Sequence, residues 1–188
     1  MNQAPKIALH HAGIWVTDFE RMVAFYRGIF DLHVSDQGRY PDGKRVVFMT
    51  LDPNAHHTFV IGEGRPEGSP STVNQLSFRV ETLAAVRYYW ERVMRAEVPR
   101  WVTVTHGNAW SVYFWDPEDN RVEIFADTPW HVPQPCRATI DFKTQSDHEI
   151  ADFTRALVKE RDGFQPFGAW RRETARAMDR EDWPLIED

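Results

Sequence analysis

The spacing of hydrophobic positions changes period near the start of this chain of 188 residues. From Leu9 to Val16, apolar and polar positions alternate as in a strand that buries one face. Apolar residues then recur at helical spacing at Met22, Phe25, Tyr26 and Ile29. The pair Thr17-Asp18 between the two patterns suits a helix N-cap. The pattern therefore predicts a strand followed by a capped helix.

The same change of period recurs 64 residues later, so the chain contains an internal repeat. The stretch from Gln75 to Val80 lies over that from His11 to Val16, and Thr82 takes the place of the N-cap. The second helix carries Val86, Tyr89, Trp90, Val93 and Met94 at helical spacing. Strand-like runs follow at 45–51 and 58–61 in the first copy, and at 101–105, 110–115 and 121–126 in the second. The sequence predicts an α+β fold of two paired βαβββ modules that form a cup-shaped mixed sheet.

The remainder of the chain does not repeat. We expect a first module over 1–65, a linker over 62–71, a second module over 72–130 and a helical C-terminal extension over 131–188. Within the extension, Ser146 and Glu149 form a capping-box pattern before a helix, and a second helix is expected from Phe167 to Arg180. The extension covers the modules or a neighbouring subunit, or it is a loosely attached tail.

Composition argues against several classes of protein, namely disordered, nucleic-acid-binding, membrane and disulfide-rich proteins. With 42% hydrophobic and 27% charged residues the chain can bury a core, and its net charge of −6 argues against nucleic-acid binding. The sequence has neither a run of 18 apolar residues nor a signal-peptide pattern, so we expect no membrane partner. Cys136 is the single cysteine, which excludes an internal disulfide framework and favours the reducing cytoplasm.

The candidate metal-ligating residues lie where the first and last strands of the two modules would meet. Each module contributes one position at its first strand and one on its last strand, and we call these four positions the corners. His11 and Gln75 are the first-strand corners, and Glu123 is the last-strand corner of the second module. The offset (123 − 64) gives Phe59 as the fourth. A carboxylate that points inward needs a partner. A divalent first-row metal held by the imidazole, the amide and the carboxylate would supply it. Alternatively, the histidine is an ordinary core residue and the glutamate is solvated.

Three further side chains are expected to lie near the four corners. His57, expected to face the same way as Phe59, can move a proton, as can His106. The hydroxyl of Tyr113 can donate to an oxygen anion. The non-functional alternatives are that His57 lies in a solvated turn and that Tyr113 is an ordinary core residue. Three aromatic residues are expected near the corners, where they could contact a flat apolar ligand or pack in the core: Trp15, Phe59 and Trp110.

These motifs resemble the vicinal oxygen chelate superfamily over about residues 7–127. The resemblance rests on His11 with Asp18 two positions beyond Val16, on Phe25-Tyr26, and on the terminal stretch 120–123. Within the superfamily the type I extradiol dioxygenases are the most similar. The shared features are His56-His57-Thr58, His106-Gly107, and Tyr113 ten positions before Glu123 with Pro117 between them.

The resemblance implies roles for these residues. His11 and Glu123 would hold iron(II), or manganese(II) or another first-row metal, and Gln75 stands where the dioxygenases have a second histidine. His57 would be the acid–base residue, while His106 and Tyr113 would contact the catecholate and the bound oxygen. The implied function is cleavage of a catechol-like ring with O2 in aromatic catabolism, by a cytoplasmic homo-oligomer, here expected to be a dimer.

Two alternatives stay open from the sequence. A lyase or isomerase of the glyoxalase or epimerase type would use four protein ligands, and Phe59 at the fourth corner argues against it. A metal-free module that binds an aromatic ligand is the other, because Gln75 is a weaker ligand than histidine.

Overall fold

A computed structural model describes residues 7–186 of the chain. It divides into two compact units. Of the described residues, unit 1 comprises 7–72 together with the short segment 116–120, and unit 2 comprises 73–115 and 121–186.

Unit 1 contains one strand–helix–three-strand module. Its elements are β1 (Ala12–Val16), α1 (Phe19–Phe30), β2 (His33–Arg39), β3 (Arg45–Thr50) and β4 (Phe59–Glu63). The sheet order is β1-β4-β3-β2, with β1 parallel to β4. The predicted N-cap is confirmed, because the Asp18 side chain accepts from the backbone N–H of Arg21. Helix α1 covers the face of β4 that carries Phe59, whose ring lies 4.7 Å from that of Tyr26.

The segment 116–120 is a tight turn built around a buried carboxylate. Asp116 accepts from the Tyr26 hydroxyl at 2.8 Å and from the Asn120 side-chain amide at 2.7 Å. Its other oxygen accepts the backbone N–H groups of Glu118 and Asn120. Burial raises the pKa of Asp116, and burial together with the Asp116 charge raises that of Tyr26. The turn is therefore held by its own hydrogen bonds and by α1.

Unit 2 repeats the module and extends it. The repeated elements are β5 (Leu76–Arg79), α2 (Leu83–Arg95), β6 (Trp101–Thr105), β7 (Ala109–Trp115) and β8 (Arg121–Asp127). The first strands begin 64 residues apart (76 − 12), as the repeat predicts. Strand β5 is parallel to β8. Helix α2 covers the face of the sheet that carries Trp101, whose ring lies 6.0 Å from that of Trp90.

The C-terminal extension packs on the second sheet. Its elements are β9 (Trp130–His131), β10 (Ala138–Thr139), α3 (Asp147–Val158), β11 (Gln165–Pro166) and α4 (Phe167–Ala177). Strand β10 pairs with β6, which gives the order β10-β6-β7-β8-β5. The buried indole of Trp110 on β7 donates to the hydroxyl of Thr154 in α3 at 2.9 Å. The extension is thus part of the core of unit 2, and the predicted capping box of Ser146 and Glu149 is confirmed.

The α+β prediction with two βαβββ modules and a helical extension is confirmed. The predicted linker starts too early, because Gly62 lies inside β4. No helix among residues 7–186 has the length and apolar character needed to cross a membrane.

Candidate active site

Glu123 is the buried carboxylate of unit 2. It lies on β8 with 6% of its surface exposed, on the sheet face opposite α2. Its Oε1 accepts from the Ser111 hydroxyl at 2.8 Å. Its Oε2 accepts from the Ser77 hydroxyl at 2.6 Å and from the Gln75 amide at 3.1 Å. Three uncharged donors therefore satisfy a carboxylate that would otherwise be costly to bury.

The Gln75 side-chain amide lies between the Glu123 carboxylate and the Arg121 guanidinium. Its Nε2 donates to Glu123 and, at 3.0 Å, to Ser77, while its Oε1 accepts from Nη2 of Arg121 at 3.1 Å. Arg121 also donates to the backbone and side-chain oxygens of Asn74. The structure thus brings Gln75 and Glu123 together, as predicted, with the amide nitrogen toward the carboxylate.

His106 and Tyr113 form a second pair on the same face of unit 2. His106 Nδ1 lies 2.9 Å from the carbonyl oxygen of Cys136, so this nitrogen carries a proton. In the neutral imidazole, Nε2 then accepts the Tyr113 hydroxyl proton across 3.1 Å. Burial raises the pKa of Tyr113, and the neighbouring Glu123 carboxylate adds to the rise. The pair therefore offers a neutral phenol that is oriented by an imidazole.

In unit 1, four histidines meet on the sheet face opposite α1. The rings of His11 and His57 lie 4.4 Å apart. Each has a neighbouring histidine, with the Nδ1 atoms of His56 and His57 3.0 Å apart and those of His10 and His11 3.4 Å apart. Burial lowers the pKa of His57, and the other three histidines lower it further. His57 therefore lies beside His11. The expectation that His57 faces the same way as Phe59 is wrong, because His57 contacts Phe48 on the face opposite α1 while Phe59 packs against Tyr26 of α1.

The prediction that Phe59 occupies the fourth corner is wrong. Glu123 is paired in register with Ser77, and the matching pair in unit 1 is Val60 with Gly13. The last strands are offset by 63 residues (122 − 59) rather than 64, so the corner moves by one position. Phe59 faces α1 instead. The fourth corner is Val60, which is apolar and offers no metal ligand.

The prediction that Trp110 lies near the site is wrong. Its indole belongs to the face that packs against α3, whereas Ser111 and Tyr113 alternate onto the Glu123 face. Trp15 keeps the parity of His11, is 56% exposed, and lies 5.5 Å from the ring of Tyr40.

Ser77 and Ser111 are functional candidates that the sequence analysis missed. Their even spacing from Glu123 along the paired strands could have identified them, since residues opposite each other in a ladder share a face.

Within residues 7–186, no three side chains of His, Cys, Asp and Glu form a group that could hold a metal ion. The predicted ligand set differs from such a group because one member is a glutamine. Its donors suit a divalent first-row ion if the Gln75 oxygen turns toward Glu123. That His11 joins Gln75 and Glu123 on one ion stays a prediction.

Comparison with known proteins agrees with this architecture. The protein-family model described as the Glyoxalase/Bleomycin resistance protein/Dioxygenase superfamily matches residues 8–124. Biphenyl-2,3-diol 1,2-dioxygenase 2 from Rhodococcus globerulus is 26% identical over 132 residues, which are 68% of this chain and 65% of that protein. The chain therefore spans slightly less than two thirds of this relative's length.

Solved structures share the fold at low identity. The glyoxylase/bleomycin resistance protein/dioxygenase domain from Frankia sp. EAN1pec is 20% identical, with a TM-score of 0.57 over 66% of this chain and 100% of that one. A mutant of the fosfomycin resistance protein FosX from Listeria monocytogenes, solved with Mn(II) and 1S,2S-dihydroxypropylphosphonic acid, is 22% identical. Its TM-score is 0.52 over 64% of this chain and 93% of that one. With the family match over most of both modules, the chain belongs to the glyoxalase/bleomycin resistance protein/dioxygenase superfamily.

Proposed function

We propose that this protein is a metal-dependent extradiol-type dioxygenase that cleaves a catechol-like aromatic ring with O2. The observation that carries the proposal is the His106–Tyr113 pair beside the buried carboxylate of Glu123. The contact of His57 with His11 adds a proton acceptor next to a proposed ligand. The similarity to a biphenyl-2,3-diol dioxygenase supports the same chemistry.

The proposed centre uses donors from both modules, which we propose pair into a cup. His11, Gln75 and Glu123 would hold the ion, with iron(II) the expected metal and manganese(II) the alternative. When bound, such an ion supplies a route for electrons from the ring to O2. Val60 would offer the ion no ligand at the fourth corner, which would leave room there for the substrate and O2.

The chain's own residues would then orient the substrate and move protons. His57, as a neutral imidazole, accepts one proton from the diol and returns it to the opening ring. The Tyr113 hydroxyl, positioned by His106, would turn its one proton from His106 Nε2 to oxygen as negative charge develops there. Both atoms of O2 enter the product, so the overall reaction needs no external reductant.

The second candidate is a metal-free module that binds an aromatic ligand. The specific observation in its favour is that Glu123 is already satisfied by Ser77, Ser111 and Gln75. A lyase or isomerase of the glyoxalase type is less well supported, because Val60 supplies no further acidic group at the fourth corner.

The test is anaerobic purification, metal analysis and oxygen uptake with a panel of catechols that includes biphenyl-2,3-diol. We expect iron-dependent uptake with a stoichiometry of one O2 per ring opened. Glu123→Ala should lose the metal while the protein stays folded, and His57→Ala should keep the metal but lose turnover. His148→Ala is the matched control, because this exposed histidine lies on α3.

Two results would reject the proposal. One is a metal-loaded protein that consumes no oxygen with any diol. The other is a Glu123→Ala variant that retains metal as well as the parent. Absence of metal together with tight binding of an aromatic ligand would favour the binding module.

We further propose that the protein is a cytoplasmic dimer that acts on a small aromatic substrate. Light scattering on the purified protein tests the dimer, and a fluorescent fusion tests the cellular location.

A further inference from the structure

We infer that Arg121 is a positioning residue that holds the Gln75 amide away from its metal-binding orientation and thereby lowers the metal affinity of the site. This inference rests on the proposed function, because it assigns Gln75 as a ligand. It concerns a residue that the ligand set and the acid–base set do not include.

The direction of the Gln75 side-chain amide decides whether it can bind a metal ion. Metal ligation by Gln75 requires its oxygen, since the amide nitrogen has no free lone pair to donate. In the structure this oxygen accepts from Arg121 at 3.1 Å, while the nitrogen faces the Glu123 carboxylate at 3.1 Å. The ligand atom is therefore turned away from the carboxylate that would share the ion.

Electrostatics favours this orientation of the Gln75 amide when no metal cation is bound. Turning the amide over would place its oxygen against the Glu123 carboxylate and its N–H groups against the Arg121 guanidinium. Both contacts would be repulsive, so Arg121 and Glu123 fix the same orientation from opposite sides.

A bound metal cation changes the preferred orientation of the amide. A divalent ion beside Glu123 reverses the preference at one end of the amide, because the oxygen then gains a positive partner there. Arg121 still opposes the turn at the other end. It retains its bonds to Asn74 and its position 5.3 Å from the ring centre of Tyr113, so its release from Gln75 is a local change. The expected cost to metal binding is one solvent-exposed hydrogen bond to a charged group, or about 3- to 10-fold in affinity.

The experiment is a double-mutant cycle on metal binding, measured by titration of the full chain with Co2+ under anaerobic conditions. Arg121→Met should bind Co2+ about 3- to 10-fold more tightly than the parent and change the visible absorption of the bound ion. In the Gln75→Ala background, Arg121→Met should have little effect, because the amide is gone. Arg79→Met is the matched control, since it removes a nearby cation that pairs with Asp127.

A second readout needs no metal. The side-chain NH2 signals of Gln75, identified by their loss in Gln75→Ala, should move in Arg121→Met and stay in place in Arg79→Met. This measurement reports the amide environment directly.

The outcomes separate this inference from the proposed function. An equal effect of Arg121→Met with and without Gln75 would show a simple charge effect and overturn the inference alone. Equal affinities for the parent and Arg121→Met would do the same. Failure of all variants to bind Co2+ would overturn both the metal-dependent function and the role assigned to Arg121.

Discussion

Replacing Asp116 with alanine should destabilise unit 1 more than most single substitutions. Asp116 is 4% exposed, and its two oxygens accept hydrogen bonds from the Tyr26 hydroxyl, the Asn120 amide and two backbone N–H groups. Deleting the carboxylate leaves these buried donors without their acceptor, at about 1–3 kcal/mol for each group that water cannot reach. Burial raises the pKa of Asp116, so desolvation offsets part of the gain from its charge, and we expect a total cost of about 3 kcal/mol. The melting temperature should fall by roughly 6–12 °C.

The assay is urea denaturation at neutral pH followed by circular dichroism, with thermal melts alongside. Tyr26→Phe is the matched control, because it removes one donor and leaves the other three bonds of Asp116 intact. It should cost about 1 kcal/mol. Asp116→Asn keeps one carbonyl oxygen for the backbone N–H groups and should fall between the two. If Asp116→Ala costs no more than Tyr26→Phe, the turn does not depend on this carboxylate and the reasoning is wrong.

Three further outcomes are expected. Gly107→Ala should lower the free energy of unfolding by about 2–4 kcal/mol in urea titrations, since Gly107 has a φ of 78° and a Cβ there would lie 2.6 Å from a valine methyl. Arg45 lowers the pKa of Glu63 from 4.5 to about 2, so the ionised carboxylate stabilises the fold above pH 4.5 and this stabilisation is lost as pH falls toward 2. Thermal melts should therefore show the advantage over Glu63→Gln shrinking across that range. Thr154→Val should cost about 1–3 kcal/mol in urea, because the buried Trp110 indole loses its acceptor.

Each of these has a matched control. Gly68→Ala tests backbone strain without crowding, because Gly68 has a φ of 72° and open space around it. Equal costs at the two glycines would contradict the crowding argument. Arg45→Met removes the cation that lowers the pKa of Glu63 and should abolish that pH trend. Thr154→Ser retains the hydroxyl, so a loss as large as that of Thr154→Val would contradict the role of the hydrogen bond.

The sequence predicted the repeat well because each module changes from period two to period 3.6 at the same place. The caps Asp18 and Thr82 and the capping box at Ser146 were also predictable, since capping depends on residues close in sequence. Strand β2 was not located, because its polar, exposed residues carry no alternating pattern. Local patterns thus identify elements that bury one face and miss those that do not.

The candidate site was predicted in its chemistry but not in its full geometry. Gln75 and Glu123 meet as the repeat implied, since paired first and last strands bring them together. The error at Phe59 arose because a constant offset was carried across loops whose lengths differ by one residue. A one-residue slip moves a strand residue to the opposite face, which is why Val60 takes that position. The hydrogen bond from Arg121 to Gln75 depends on tertiary contacts that no spacing encodes.

The two sheets differ in how their outer strands are protected. In the described chain, β2 ends its sheet with polar side chains and an irregularity between Val34 and Asp36, both of which discourage pairing with another molecule. The corresponding strand β6 carries Trp101 and Val104 and is instead covered by β10 of the extension. A recombinant fragment cut before residue 131 would uncover that strand, and self-association of the truncated protein into aggregates is the consequence.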